Sequence, residues 1–121
     1  LWQELNRAAL QDQVTFGMLN VFGREFHRNG RGGRNHNRHH GVLVSFGRHI
    51  NGGVYGGVNA AGQCRNIRLG NGRPTNSGGL RADETLASAG KSLSAALGHR
   101  PQDIEERIHG GRILEPYVNL A

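Results

Sequence analysis

Two uncharged apolar runs, Val14-Thr15-Phe16-Gly17-Met18-Leu19 and Val42-Leu43-Val44-Ser45-Phe46, constrain the fold of this chain more than any other feature. Short apolar runs without charge read as strands covered on both faces, the signature of a parallel sheet. The residues between them are of opposite character. They carry Arg24, Arg28, Arg31, Arg34 and Arg38 together with His27, His36, His39 and His40, on a backbone rich in glycine and asparagine. The pattern predicts two adjacent strands, at 13–20 and 42–46, with a basic loop presented at the sheet edge between them.

The chain has 121 residues, 36% of them apolar, and 20 glycines. That suits a single domain, or a piece of one, with a modest core and much loop around it. Of the 15 basic residues only Lys91 is lysine, and the formal net charge is +6. Guanidinium groups grip carboxylate, phosphate and sulfate oxygens through two parallel hydrogen bonds, so an anionic partner is expected. A solvated arginine-rich surface has the same composition, and both readings stay open. The field is uneven. From Arg24 to Arg73 the one acidic residue is Glu25, whereas the segment from Arg81 onward is nearly balanced. Cys64 is the single cysteine, which excludes an internal disulfide and a thiolate metal cluster. No apolar run reaches the length of a membrane span, and the chain opens on a helix pattern rather than a signal peptide.

Leu1, Leu5, Ala8 and Ala9 share a helical face and predict a helix over 1–10. Ile50-Asn51-Gly52-Gly53-Val54-Tyr55 suits either a tight turn or an irregular ribbon, and 59–80 reads as loop with a short strand at 67–69. Asp83 is placed to cap a helix over 83–97 whose Leu86, Ala89, Leu93, Ala96 and Leu97 align, with Gly98 at its C′ position. Pro101 begins a last helix over 101–109, closed by Gly110 and burying Ile104 and Ile108. Ile113, Leu114, Tyr117, Val118 and Leu120 then form an extended closing tail.

Taken in order, the segments Asn20-Val21-Phe22-Gly23-Arg24 and Asn29-Gly30-Arg31-Gly32-Gly33-Arg34-Asn35-His36, the Val-Leu-Val strand and Gly-Gly-Val-Tyr-Gly-Gly carry a resemblance. Over residues 1–62 the chain resembles the C-terminal portion of an uncharacterised, usually exported bacterial family related to sulfatases and alkaline phosphatases. Members typically show Ser-Glu-Phe-Gly-Arg after a strand, then Asn-Gly-x-Gly-Gly-x-Asp-His. The resemblance implies a three-layer α/β/α, alkaline-phosphatase-like fold with a mostly parallel sheet and a metal-bound phosphate- or sulfate-ester hydrolase centre. It also implies export to a periplasmic or extracellular location. Asn20 and Val21 fall on the Ser-Glu pair, Asn35 and His36 on the Asp-His pair. Without those carboxylates a divalent metal keeps only His36 as a matching ligand, with His27, His39 and His40 as substitutes. The chain then reads as a fragment of a larger fold or an inactive relative.

On this reading Arg24, Arg28, Arg31, Arg34 and His36 form an anion-binding loop, with Arg34 and His36 nearest the anion. The alternative for Arg24 and Arg34 is that they hydrogen-bond loop carbonyls and pin the backbone. Two further classes stand beside the hydrolase relative. One is a structural subunit packing on another protein chain or on a missing N-terminal part. The other is a nucleic-acid-binding module built on Arg-Gly-Gly and Phe26.

Overall fold

The computed structural model describes residues 1–119. Its elements run α1 (Trp2–Arg7), β1 (Phe16–Leu19), β2 (Gly23–Arg24), β3 (His36–Asn37), β4 (Leu43–Phe46), β5 (Asn66–Ile67), β6 (Pro74–Thr75), α2 (Thr85–Ala96) and α3 (Pro101–Arg107). Short 3-10 turns lie at Ala82–Glu84 and Glu115–Tyr117. Among the described residues all strand pairs are antiparallel and two-stranded: β1 with β4, β2 with β3, β5 with β6. This corrects the sequence expectation of a mostly parallel sheet in a three-layer α/β/α, alkaline-phosphatase-like fold. The chain is a small domain of antiparallel strand pairs followed by helices.

The physical reason lies between β1 and β4. A parallel neighbour requires a crossover, usually a helix, and this segment contains none. Its glycines and asparagines turn the chain back on itself instead. The pairings Phe16↔Phe46 to Leu19↔Leu43 and Gly23↔Asn37 to Arg24↔His36 are nested, so they form two stretches of one long hairpin arm. Asn20 joins the stretches. Its N–H donates to the Val42 carbonyl at 3.2 Å, and its Oδ1 accepts from the Val42 N–H at 2.7 Å.

The arm ends in a turn headed by Asn29. Asn29 Oδ1 accepts from the N–H groups of Arg31 and Gly33, both at 3.0 Å, and Gly32 adopts φ +80°. The Gly32 N–H returns to Asn29 O and the Asn29 N–H to Gly33 O, giving a type I turn with a glycine bulge. Residues 59–63 repeat it bond for bond. Asn59 Oδ1 accepts from Ala61 N–H at 2.9 Å and Gln63 N–H at 3.0 Å, with Gly62 at φ +73°. The expected loop over 59–80 is thus a second hairpin followed by the β5–β6 pair.

The arm stands outside the core. Met18, Leu19, Val42, Val44 and Phe46 are all exposed, Met18 by 61%, which corrects the expectation of strands covered on both faces. The core gathers later in the chain, from Ile67, Leu80, Ala95, Ala96, Ile104, Leu114, Tyr117 and Val118. Helix α1 is shorter than expected and buries none of its residues.

Helix α2 follows its expected span but turns another face inward. It buries Ser88, Lys91, Ser92, Ala95 and Ala96 and leaves Leu86 and Leu97 exposed. The serines explain why. Ser88 Oγ accepts the Arg112 N–H and Ser92 Oγ the Leu114 N–H, each at 2.8 Å, so the tail docks along α2 through its backbone. Asp83 is not the cap. It pairs with Arg81, whose guanidinium is held above its ordinary pKa by the hydrogen bond and charge of Asp83 and by the charge of Glu84. Helix α2 itself has no side-chain cap, and the 3-10 turn before it is tied down where the Ala82 N–H donates to Asn66 Oδ1 at 3.0 Å.

At its other end Gly98 adopts φ +84°. The bonds Gly98 N–H to Ala95 O and His99 N–H to Ser94 O complete a Schellman stop. Helix α3 starts at Pro101 as expected, and Ile104 is buried. No tight hairpin forms at Asn51-Gly52. Ile50 instead bridges Val118 and the Asn51 N–H donates to Tyr117 O, tying the tail beside residues 49–51. Leu120, expected in that tail, lies outside the described residues.

Candidate anion-binding site

The distal half of the arm carries the residues singled out from sequence, and the structure divides them into two sets. Arg24 and Arg34 point back into the hairpin. Arg24 Nη1 donates to Arg34 O at 3.1 Å, and Arg34 Nη1 donates to Glu25 O at 3.0 Å and also to Phe26 O. Asn35 Nδ2 donates to Glu25 Oε2 at 3.1 Å, and Asn29 Nδ2 to Asn35 Oδ1 at 3.0 Å. These bonds replace a floppy glycine loop with a fixed frame. The backbone N–H groups of Arg31 and Gly33 are satisfied by Asn29 Oδ1, so that acceptor sits where an oxyanion would enter the turn.

Arg28, Arg31 and Arg38 form the second set. All three are exposed, and among the described residues no hydrogen bond or ion pair engages their guanidinium groups. His36 is exposed and stacks on Phe22 with ring centroids 3.7 Å apart, while the Arg24 guanidinium lies 5.1 Å from the Phe22 centroid. The arrangement is a short column of cation, ring and imidazole.

Beside this column a cleft of about 600 Å³ opens between the arm and the second hairpin. Phe22, Glu25, Phe26, His27, His36, Asn37, Arg38 and His39 line one side, Ala61 and Gln63 the other. Gly62 holds the two hairpins together. Its carbonyl accepts from buried Asn37 Nδ2 at 3.1 Å and from His40 Nδ1 at 2.7 Å, and the Cys64 N–H donates to His39 O at 2.9 Å. A carbonyl can only accept, so His40 carries its proton on Nδ1.

Among the described residues no group of three or more His, Cys, Asp or Glu side chains gathers around one point. His36, the ligand position that the resemblance implies, stacks its ring face on Phe22. At the positions that the resemblance aligns with carboxylates, Val21 is 93% exposed and Asn35 is bonded to Glu25. The sequence reading did not pick out the pinning role of Asn29, the Asn59–Gln63 turn or Asn37. The signal was present, since Asn-x-x-Gly occurs at both tips. No known protein family matches the chain, and no curated protein or solved structure matches it either. Among the described residues no helix is long and apolar enough to cross a membrane.

Proposed function

We propose that this chain is a non-catalytic anion-binding module in which the hairpin arm holds oxyanions of the phosphate or sulfate class through Arg28, Arg31 and Arg38. One observation carries the reading. Arg24 and Arg34 brace the arm internally, while three guanidinium groups of the same hairpin remain exposed and unengaged among the described residues. A fixed frame lowers the ordering cost of binding, and the net charge of +6 draws anions toward it. The reading keeps the basic loop and the inactivity suggested by the sulfatase and alkaline phosphatase resemblance, and it does not require that family's fold. Elution from heparin tests it. Elution should need high salt, and changing Arg28, Arg31 and Arg38 together to glutamine should lower the required salt with little loss of melting temperature. Unchanged elution of that variant would overturn the proposal.

A second reading is favoured by the exposed apolar residues of β1 and β4. Met18 and Val44 are paired across the strands and Val42 follows two residues from Val44 on the same face, and exposed apolar patches on small domains mark partner surfaces. On this reading the chain packs on another protein. Sedimentation at rising concentration, alone and with candidate partners, tests it.

A further inference from the structure

We infer that the ligand of the hairpin arm is single-stranded nucleic acid, with a base entering the cleft beside Phe26 and phosphates running along Arg28, Arg31 and Arg38. The inference rests on the anion-binding reading and names its ligand class. Four observations support it.

The cleft, about 600 Å³ and broadly open to solvent, has room for a single base. Its walls offer flat surfaces: Phe26 is 46% exposed, and the Phe22–His36 stack lies alongside. Aromatic rings next to arginines are how proteins hold unpaired bases without strict sequence readout. Of the unengaged guanidinium groups Arg38 lines the cleft itself, and Arg28 and Arg31 lie at the tip of the same hairpin, so charge and stacking surface belong to one element.

The fourth observation separates nucleic acid from an acidic peptide. Glu25 lines the cleft, and its Oε2 is held by Asn35 Nδ2. A carboxylate there repels the side chains of an acidic peptide, but it accepts a hydrogen bond from the exocyclic amine of a base. Peptide carboxylates would also leave the exposed face of Phe26 without a partner. Double-stranded ligands are disfavoured because their bases are already stacked and cannot enter a cleft.

Fluorescence anisotropy with a labelled oligocytidylate about eight nucleotides long is the decisive measurement. Inorganic polyphosphate and polyglutamate serve as competitors. The oligonucleotide should bind with a log–log salt slope of about −2, as expected for three phosphate contacts on a single strand. Phe26→Ala should weaken oligonucleotide binding by about tenfold and leave polyphosphate binding unchanged, because only a base stacks. Phe26→Tyr should restore it, which guards against a folding artefact. Arg38→Gln should weaken both ligands.

If Phe26→Ala leaves oligonucleotide affinity unaltered while polyphosphate still binds, the nucleic-acid inference fails and the anion module stands. If polyglutamate competes as well as the oligonucleotide, the ligand is an acidic peptide and the inference is overturned. If neither polyanion binds, both readings fall.

Discussion

At the scale of single residues, arginines close together in sequence have opposite duties, and substitution separates them. Arg34 Nη1 reaches the carbonyls of Glu25 and Phe26, so Arg34→Gln removes charged hydrogen bonds that close the arm. Such bonds contribute about 1–2 kcal/mol net, and thermal melting should fall by a few degrees, ~5 °C for a domain of this size. Arg31→Gln removes no side-chain bond among the described residues and should leave stability within about 0.5 kcal/mol of the parent while weakening heparin retention. If the two variants change places, the assignment of brace and ligand arginine is wrong. Asn29 offers a sharper version. Asn29→Asp keeps the oxygen that accepts from Arg31 and Gly33 but sets a negative charge at the tip. It also gives up the Asn29 Nδ2 bond to Asn35 Oδ1, so stability should fall slightly, by less than for Asn29→Ala, while affinity for polyanions drops more. Asn29→Ala should lose stability first, by about 1 kcal/mol for the acceptor removed.

At the scale of elements, the two helices were legible because their ends are written in local chemistry. Pro101 fixes the first turn of α3, and Gly98 alone takes the left-handed turn after α2 without strain. The buried face of α2 was not legible. Periodicity selected Leu86, Leu93 and Leu97, whereas the tail approaches through backbone N–H groups that need the hydroxyls of Ser88 and Ser92. The strands were found and even their adjacency was, but their direction was misread. An uncharged run implies burial only if the chain has enough apolar residues to cover it, and 36% does not suffice here. The basic segment was visible in the sequence as a run of arginines and histidines, yet Asn29 and Asn59 head turns that only their full hydrogen-bond sets reveal. Packing between elements also makes a prediction. Lys91 of α2 is 1% exposed and reaches Glu105 of α3, which is 63% exposed. Glu105→Gln leaves a buried ammonium without its counter-charge and should cost about 1–3 kcal/mol in urea denaturation, less than a fully buried pair because water screens Glu105. Adding Lys91→Met to that variant should recover most of the loss, since an apolar side chain of similar size suits the site. If the double variant is weaker than Glu105→Gln alone, the ammonium makes a contribution that the pair does not explain.

Across the whole molecule, burial is divided unequally, and that division predicts how the protein opens. Within residues 1–46 only Gly23 and Asn37 are buried, whereas the core is assembled from Ile67 to Val118. Among the described residues few hydrogen bonds tie the arm to the rest: Asn37 and His40 on the Gly62 carbonyl, the His39–Cys64 backbone bond, and Ser45 Oγ with the Tyr117 hydroxyl at 2.7 Å. Regions with few buried contacts open at lower free energy than the core they adjoin. Backbone amides of β1 to β4 should therefore exchange with deuterium well before those of α2 and of Ile67 and Leu80, by local opening of the arm. Gly23 makes this testable by substitution. A methyl group there would collide with the His40 ring, which must sit against Gly23 to reach Gly62. Gly23→Ala should push His40 away, loosen the cleft and speed exchange throughout 16–46, with α2 and α3 protected as before. Polyanion affinity should fall with it, because Arg38 and His39 lose their fixed position beside the second hairpin. Equal loss of protection in arm and helices would instead show a single cooperative unit, in which the arm contributes to global stability and its arginines are not carried on a separately opening element.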